Sequence, residues 1–234
     1  SLRYLGATLD KRLSFGGMWL KIAASTKATV GAIGRLVHGE SRILRHLYKQ
    51  QVESVYRFHL AGTPPGTQKA WKRLTGASSF AAHLIANKWR DGDRWIHGKE
   101  ILALAGLESP AVLGAVTALW QLYSCRFKGR RYGAWLGTEA AAAEAQGRRV
   151  GRSSAGSDFR LCPPATSRLS FDRLQARRSI LLWNSIADKI RVYRDNCKAR
   201  GPKSFAKAAR EAFTTLSAKN RHRDMDLYFL QGFV

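Results

Sequence analysis

Apolar positions recur along most of this chain at helical intervals. Trp19, Ile22, Ala23, Thr26, Val30, Ile33 and Val37 are three or four residues apart and predict a helix ending near Gly39. Leu44, Leu47, Tyr48, Gln51, Val52, Val55 and Tyr56 predict a second, which Ser41 would cap and which ends near Gly62. After the turn at Thr63-Pro64-Pro65-Gly66, a helix with Trp71 and Leu74 stops at Gly76, and another stretch carries Phe80, Leu84, Ile85 and Trp89. Asp91-Gly92-Asp93 is a break. A short helix runs from Lys99 to Leu104 and closes at Gly106. Ser109-Pro110 pairs an N-cap with a first-turn proline, and Val112, Val116, Leu119, Tyr123 and Phe127 follow at helical spacing. Thr138 to Gln146 is Ala-rich and helical by propensity.

Beyond that point the pattern changes. Residues 147–170 mix Gly, Ser, Pro and Arg with few apolar positions and read as a flexible basic linker. Ser179, Leu182, Trp183, Ile186, Ile190, Tyr193 and Cys197 form one further helix, closed by Gly201-Pro202. Phe205, Ala209, Ala212 and Leu216 form the last, and the apolar Leu227-Tyr228-Phe229-Leu230 is expected to dock on the body. Strand character is confined to the start. Tyr4, Leu5, Ala7 and Leu9 form one run around Gly6, Leu13 and Phe15 form another, and Asp10-Lys11-Arg12 lies between, so a hairpin turning at the polar break is expected to be the only sheet. The result is a mainly α protein with a hairpin at 1–16, a helical region at 17–146, a linker at 147–170 and a helical pair within 171–234.

Charge adds what periodicity cannot. Forty Lys and Arg face sixteen Asp and Glu, a net +24. Residues 1–146 hold 21 basic and 9 acidic residues, and 147–234 hold 19 and 7, so each part carries +12 and the excess is not one basic tail. A field of this size attracts polyanions, and nucleic acid is the leading partner. Lys21, Lys27 and Arg35 lie off the first apolar stripe, and Arg42, Arg45, Lys49 and Arg57 off the second, where each competes between plain solvation and phosphate contact. Of the seven tryptophans most sit on apolar faces, while Trp95 and Trp135 fall beside glycines and basic residues and are the candidates for stacking on bases.

Catalytic chemistry has no visible seat. Asp91 with Asp93 reads as a turn, and Asp224 with Asp226 balances local charge. The histidines at 38, 46, 59, 83, 97 and 222 show no metal-ligand spacing, and Gly98-Lys99 lacks the rest of a phosphate loop. Cys125, Cys162 and Cys197 are far apart and read as reduced thiols. No apolar run approaches the roughly 18 residues of a spanning helix, so no membrane role is expected, and an intracellular location, nuclear or cytoplasmic, is. The chain by itself is expected to be non-catalytic.

The order of its segments resembles the C-terminal part of a reverse transcriptase from a non-LTR, LINE-type retrotransposon, nearest to Jockey-like lineages. Arg3 to Phe15, RYLGATLDKRLSF, is similar to the segment YLGV-x-LD-x-x-L-x-W that closes the palm as the primer grip, with Phe15 where Trp is frequent and Met18-Trp19-Leu20 where His and Ile are common. Ile22 to Leu36 resembles the first thumb helix, with Lys27 and Arg35 in its basic places. Leu44 to Phe58, Gln68 to Gly76 and Lys99 to Glu108 follow the next motifs. Arg177 to Ile186, RRSILLWNSI, resembles PRT-x-x-x-WN-x-LP, with Ala187 in place of Pro and Ala176 near where a second Pro is common; Phe205 to Leu216 resembles the closing helix. The resemblance implies a palm-edge hairpin, a thumb-like helical bundle, a linker and a C-terminal helical pair that hold an RNA template and DNA primer, or their hybrid. It implies a primer grip at Tyr4, Leu5 and Gly6, and phosphate contacts from Lys21, Lys27, Arg35, Arg42, Arg45 and Lys49 in the thumb and Arg177, Arg178, Arg191 and Arg194 in the tail. The implied parent activity is RNA-directed DNA polymerisation with magnesium. The catalytic aspartates of such enzymes lie upstream, in palm and fingers of the same polyprotein, so no metal or cofactor is expected in this chain. The missing initiator Met is in keeping with a piece of a longer polypeptide. A stand-alone basic helical component of a ribonucleoprotein is the alternative.

Overall fold

A computed structural model describes residues 2–4, 7–9, 15–37, 40–63, 65–127, 160–161, 175–196 and 204–211. These residues are mainly helical. The chain divides into two compact units, Ser1–Gly114 and Ala115–Gly232, and the division falls inside a helix. The boundary expected at 147–170 lies outside the described residues except for Arg160 and Leu161. The Ala-rich stretch at 138–146 and the apolar tail at 227–230 also lie outside them.

The hairpin is real but is displaced from its expected position. Strands β1 (Leu2–Tyr4) and β2 (Ala7–Leu9) pair antiparallel, with Leu2 opposite Leu9, Arg3 opposite Thr8 and Tyr4 opposite Ala7. Only residues 5 and 6 separate them, so the two strands lie within the first apolar run. A two-residue connection is the commonest way to join such strands, and it competes well with the polar break further on. Phe15, expected in the second strand, instead precedes helix α1 (Gly16–Leu36) with φ at 52°, and its carbonyl accepts the Trp19 N–H at 3.0 Å. Nor is this hairpin the only sheet, because β3 (Arg90–Asp91) pairs with β4 (Arg94–Trp95) across the expected turn.

Helix α1 buries Met18, Trp19, Ala23, Thr26 and Val30. Close approach of another backbone was the expected use of its glycines, and the packing does not show it. A Cβ built on Gly31 would meet nothing within 4 Å, and one on Gly34 would only graze Leu44 Cδ2 at 4.0 Å. With no neighbour to accommodate, Gly31→Ala should stabilise the protein by about 0.5–1 kcal/mol through helix propensity, read as a higher urea midpoint at unchanged slope. The tight approach is at Gly114, where a Cβ would lie 3.0 Å from Leu60 Cβ.

The second predicted helix begins at Ser41, not after it; Glu40 is the N-cap and no side chain caps the end. It comprises α2 (Ser41–Tyr48), a π-helical turn (Lys49–Glu53) and α3 (Ser54–Gly62). Leu44, Tyr48, Val52, Tyr56 and Leu60 are all buried, and each is four residues from the last. Gln51 and Val55, expected on this stripe, are exposed. An α-helix turns about 100° per residue, so a strict four-residue repeat drifts about 40° per step. The wider π turn winds more slowly and brings Tyr56 and Leu60 back toward the face set by Leu44.

Helix α4 (Gln68–Ala86) is continuous where a stop at Gly76 was expected. Gly76 is exposed with open space around it, so its cost is only the roughly 1 kcal/mol of helix propensity. Thr67 caps the helix, its Oγ1 accepting the Ala70 N–H at 3.3 Å. Buried Ala70, Ala77, Ser78, Ala81 and Ala82 are small and let α4 pack closely on α1. Helix α5 (Gly98–Leu104) closes at Gly106, φ +64°, and α6 (Pro110–Phe127) starts as the sequence predicts, Ser109 Oγ accepting the Val112 N–H.

In the second unit the single helix expected over residues 177–198 is two, α7 (Gln175–Ser185) and α8 (Ala187–Asn196), which break at Ile186. Trp183 is fully buried, its ring centroid 6.3 Å from that of Phe127. Asn184 reaches into the stretch expected to be a mobile linker. Its Oδ1 accepts the Leu161 N–H and its Nδ2 donates to the Leu161 carbonyl, both at 2.8 Å, and Leu161 itself is buried. One point of that stretch is therefore anchored. Residues 204–211 are helical and bury Phe205, Ala206 and Ala209, with Phe205 packed against Trp120, Tyr123 and Tyr193.

Candidate nucleic-acid interface

The predicted thumb cations fall on three consecutive helical segments. Lys21, Lys27 and Arg35 are exposed on α1, Arg42 is exposed on α2, and Lys49 is exposed on the π turn. Among the described residues none of these five forms an ion pair. The core stripe of α1 runs through Trp19, Ala23, Thr26 and Val30. Helical geometry puts Lys21 and Arg35 on the side away from it, about 21 Å apart along the axis. Lys27 lies at the stripe's edge, its Nζ 5.9 Å from the centre of the Phe80 ring.

Arg45 differs in kind. It is half-buried, its guanidinium carbon lies 3.6 Å from where a Gly106 Cβ would sit, and its Nε is buried with no hydrogen-bond partner. Much of this side chain is engaged in packing over the end of α5. Arg57 is exposed but pairs with Glu53 at 3.3 Å.

The sequence pattern also passed over a cluster. Lys69, Lys72 and Arg73 are all exposed in the first turns of α4, where the positive end of a helix disfavours cations. Three basic residues within five, with no acid in the first turn, were a readable signal. None of α1, α2, α4 and α6 has an acidic residue in its first turn, so their free N–H groups add to the positive field.

In the tail, Arg177 and Arg178 stand in the first turn of α7 and Arg194 in α8, but their side chains lie outside the described residues. Arg191 is half-buried and engaged with a neighbour. At the hairpin, Tyr4 ends β1 opposite Ala7, whereas Leu5 and Gly6 lie outside the described residues.

No family model, curated protein or solved structure matches the chain. The site is therefore read from its own geometry.

One buried acid sits among these cations. Glu53, in the π turn, is almost fully buried; its Oε2 holds Arg57 while Oε1 has no hydrogen-bond partner. Burial raises its pKa, with Arg57 and then Lys49 opposing the rise. Since the folded pKa lies above the unfolded one, stability falls as pH rises from the ordinary carboxylate range through the folded value. His59 works in the opposite direction. Burial lowers its pKa, so stability falls as pH drops below about 6.5. Glu53→Gln removes the first effect only, and the drop in melting temperature from pH 5 to pH 8 should shrink in this variant.

Among the described residues no helix is long and apolar enough to cross a membrane, and no three His, Cys, Asp or Glu come together as metal ligands. Cys125 is a free, half-buried thiol.

Two tryptophans lie outside the core. Trp89, expected on an apolar helical face, follows the end of α4 and is 37% exposed; Trp95, a predicted stacking candidate, is 42% exposed. Trp135 lies outside the described residues.

Proposed function

We propose that this chain is the nucleic-acid-gripping C-terminal part of a non-LTR retrotransposon reverse transcriptase. The observation that carries the grip is the row of exposed cations on α1, α2 and the π turn, without ion pairs among the described residues, on a chain of net charge +24. Such side chains neutralise phosphates and release counterions, so binding needs no base-specific contact. Lys69, Lys72 and Arg73 extend the same chemistry onto α4.

The tail motif supports the parentage. Trp183 and Asn184 act as framework residues, one filling the core and the other clamping a distant backbone. The break after Ile186 makes Ala187 the first residue of α8, a place where proline is well tolerated and where the resembled motif carries it. In this reading magnesium and the polymerase carboxylates belong to the upstream palm, and this chain contributes the hold on template and primer.

The test is salt dependence. An RNA–DNA hybrid labelled with fluorescein should bind the purified chain with affinity falling about 10²- to 10³-fold between 50 and 200 mM salt, the slope expected for four to five phosphate contacts. Affinity independent of salt would overturn the phosphate grip. Fusing the chain to its in-frame upstream sequence and finding no templated DNA synthesis would overturn the parentage.

A further inference from the structure

The segment after α4 folds its aromatic rings into a graded stack. Asn87 takes a left-handed conformation, φ 47°, and turns the chain back so that the Lys88 carbonyl lies 2.8 Å from His83 Nδ1. A carbonyl only accepts, so Nδ1 carries the proton and the ring is fixed in one tautomer and orientation. Trp89 then lies flat on this buried histidine, with centroids 4.5 Å apart and planes 4° apart. Phe80 meets Trp89 edge-on at 6.2 Å, and Trp95 leans over it at 5.7 Å and 54°.

Below the stack the hairpin is bolted down. Ile96 is buried and its N–H donates to the Trp89 carbonyl at 3.2 Å. Gly92 has φ +61° and Asp93 does not follow it to positive φ, the sign pattern of a type II′ turn. Register places Arg90 directly across from Trp95, so indole and guanidinium share one face of the ribbon, and Asp91 and Arg94 fall on the other. The acids are largely engaged: Asp91 holds Lys88 at 2.8 Å and Glu100 holds Arg94 at 2.7 Å. Among the described residues Arg90 makes no ion pair. Lys27, over Phe80, brings a further cation to the edge of the cluster.

We propose that Trp95, backed by Trp89 and His83 and flanked by Arg90, is a stacking platform for an unpaired base of single-stranded nucleic acid. A rigid exposed indole offers its face to any base, and a cation beside it meets the adjoining phosphate. A base in a duplex already has both faces covered, so the platform is selective for unpaired strands. This is a second site beside the phosphate grip proposed above, and it stands on separate residues.

The experiment compares the full chain with Trp95→Ala and Trp95→Phe, probing each with a twelve-nucleotide oligo-rU and with an RNA–DNA hybrid of equal length. Trp95→Ala should weaken oligo-rU binding by about 5- to 100-fold and leave hybrid binding within about twofold, and Trp95→Phe should restore most of the loss. Matching circular-dichroism melts establish that the fold is intact. If Trp95→Ala binds oligo-rU as the parent does, or loses both ligands equally, the platform is overturned while the hybrid result stands. If the unaltered chain binds neither ligand at 50 mM salt, both proposals fall.

Discussion

Replacing Lys21, Arg35, Arg42 and Lys49 together by glutamine should lower affinity for an RNA–DNA hybrid by about 10²- to 10³-fold at 0.1 M salt and flatten the salt dependence by roughly three to four. All four are exposed and lie on consecutive helical segments. None lies in the core or in an ion pair among the described residues, so fold and stability should hold. Only Lys49 has an electrostatic tie to a buried group, its attraction for Glu53, and that tie ranks below the one from Arg57. The slope matters more than the affinity. Each lost phosphate contact removes close to one counterion, so a quadruple variant that keeps its full slope would show that these side chains do not touch the backbone. Arg45→Gln is the contrast. Its guanidinium is packed against Gly106, so its loss should reduce thermal stability more than salt slope.

Trp19→Ala should cost about 3–5 kcal/mol, enough to leave the first unit marginal or unfolded at 25 °C. Trp19 is fully buried on α1, its ring centroid 6.3 Å from Tyr56 and 6.2 Å from His59. Its Nε1–H donates to the Thr63 carbonyl just past the end of α3. Removal opens a cavity the size of an indole and strands that carbonyl. Trp19→Phe keeps most of the packing and loses the hydrogen bond, so it should cost less than the alanine variant. Urea unfolding followed by circular dichroism separates the two, and a Trp19→Ala midpoint within error of the parent would show that the indole is not the keystone of α1.

How far these features were legible in the sequence depended on how local their causes are. Ser109-Pro110 announced α6 because a cap and a first-turn proline act within one turn. Gly106 announced the end of α5 for the same reason. The stripe through Leu44, Tyr48 and Tyr56 was readable, but the π turn was not, since it is imposed by where the core lies and not by any residue within it. Gly76 looked like a stop because propensity speaks against it, and packing of α4 on α1 overrode that preference. Trp89 looked like core because its spacing from Ile85 continues the helix; the left-handed Asn87 ends that continuation two residues earlier. At the N-terminus the apolar run was recognised, yet a two-residue connection within it was not weighed against the polar break beyond it. The exposed cations were correctly placed off the stripes, since periodicity alone decides exposure. Arg45 was the exception, because only the fold brings Gly106 beneath it.

The π turn also bears on how this helix can change length. Within an otherwise α-helical rod it behaves as one residue in excess, held by burial at both ends. Deleting a single residue between Lys49 and Glu53 would let the rod relax to plain α-helix and rotate everything after it by about 100°. Tyr56 and Leu60 would leave the core and Arg57 or Phe58 would turn inward. A missense change at exposed Gln50 or Gln51 should pass almost unnoticed, whereas an in-frame loss of either codon should be as damaging as cutting out a core side chain.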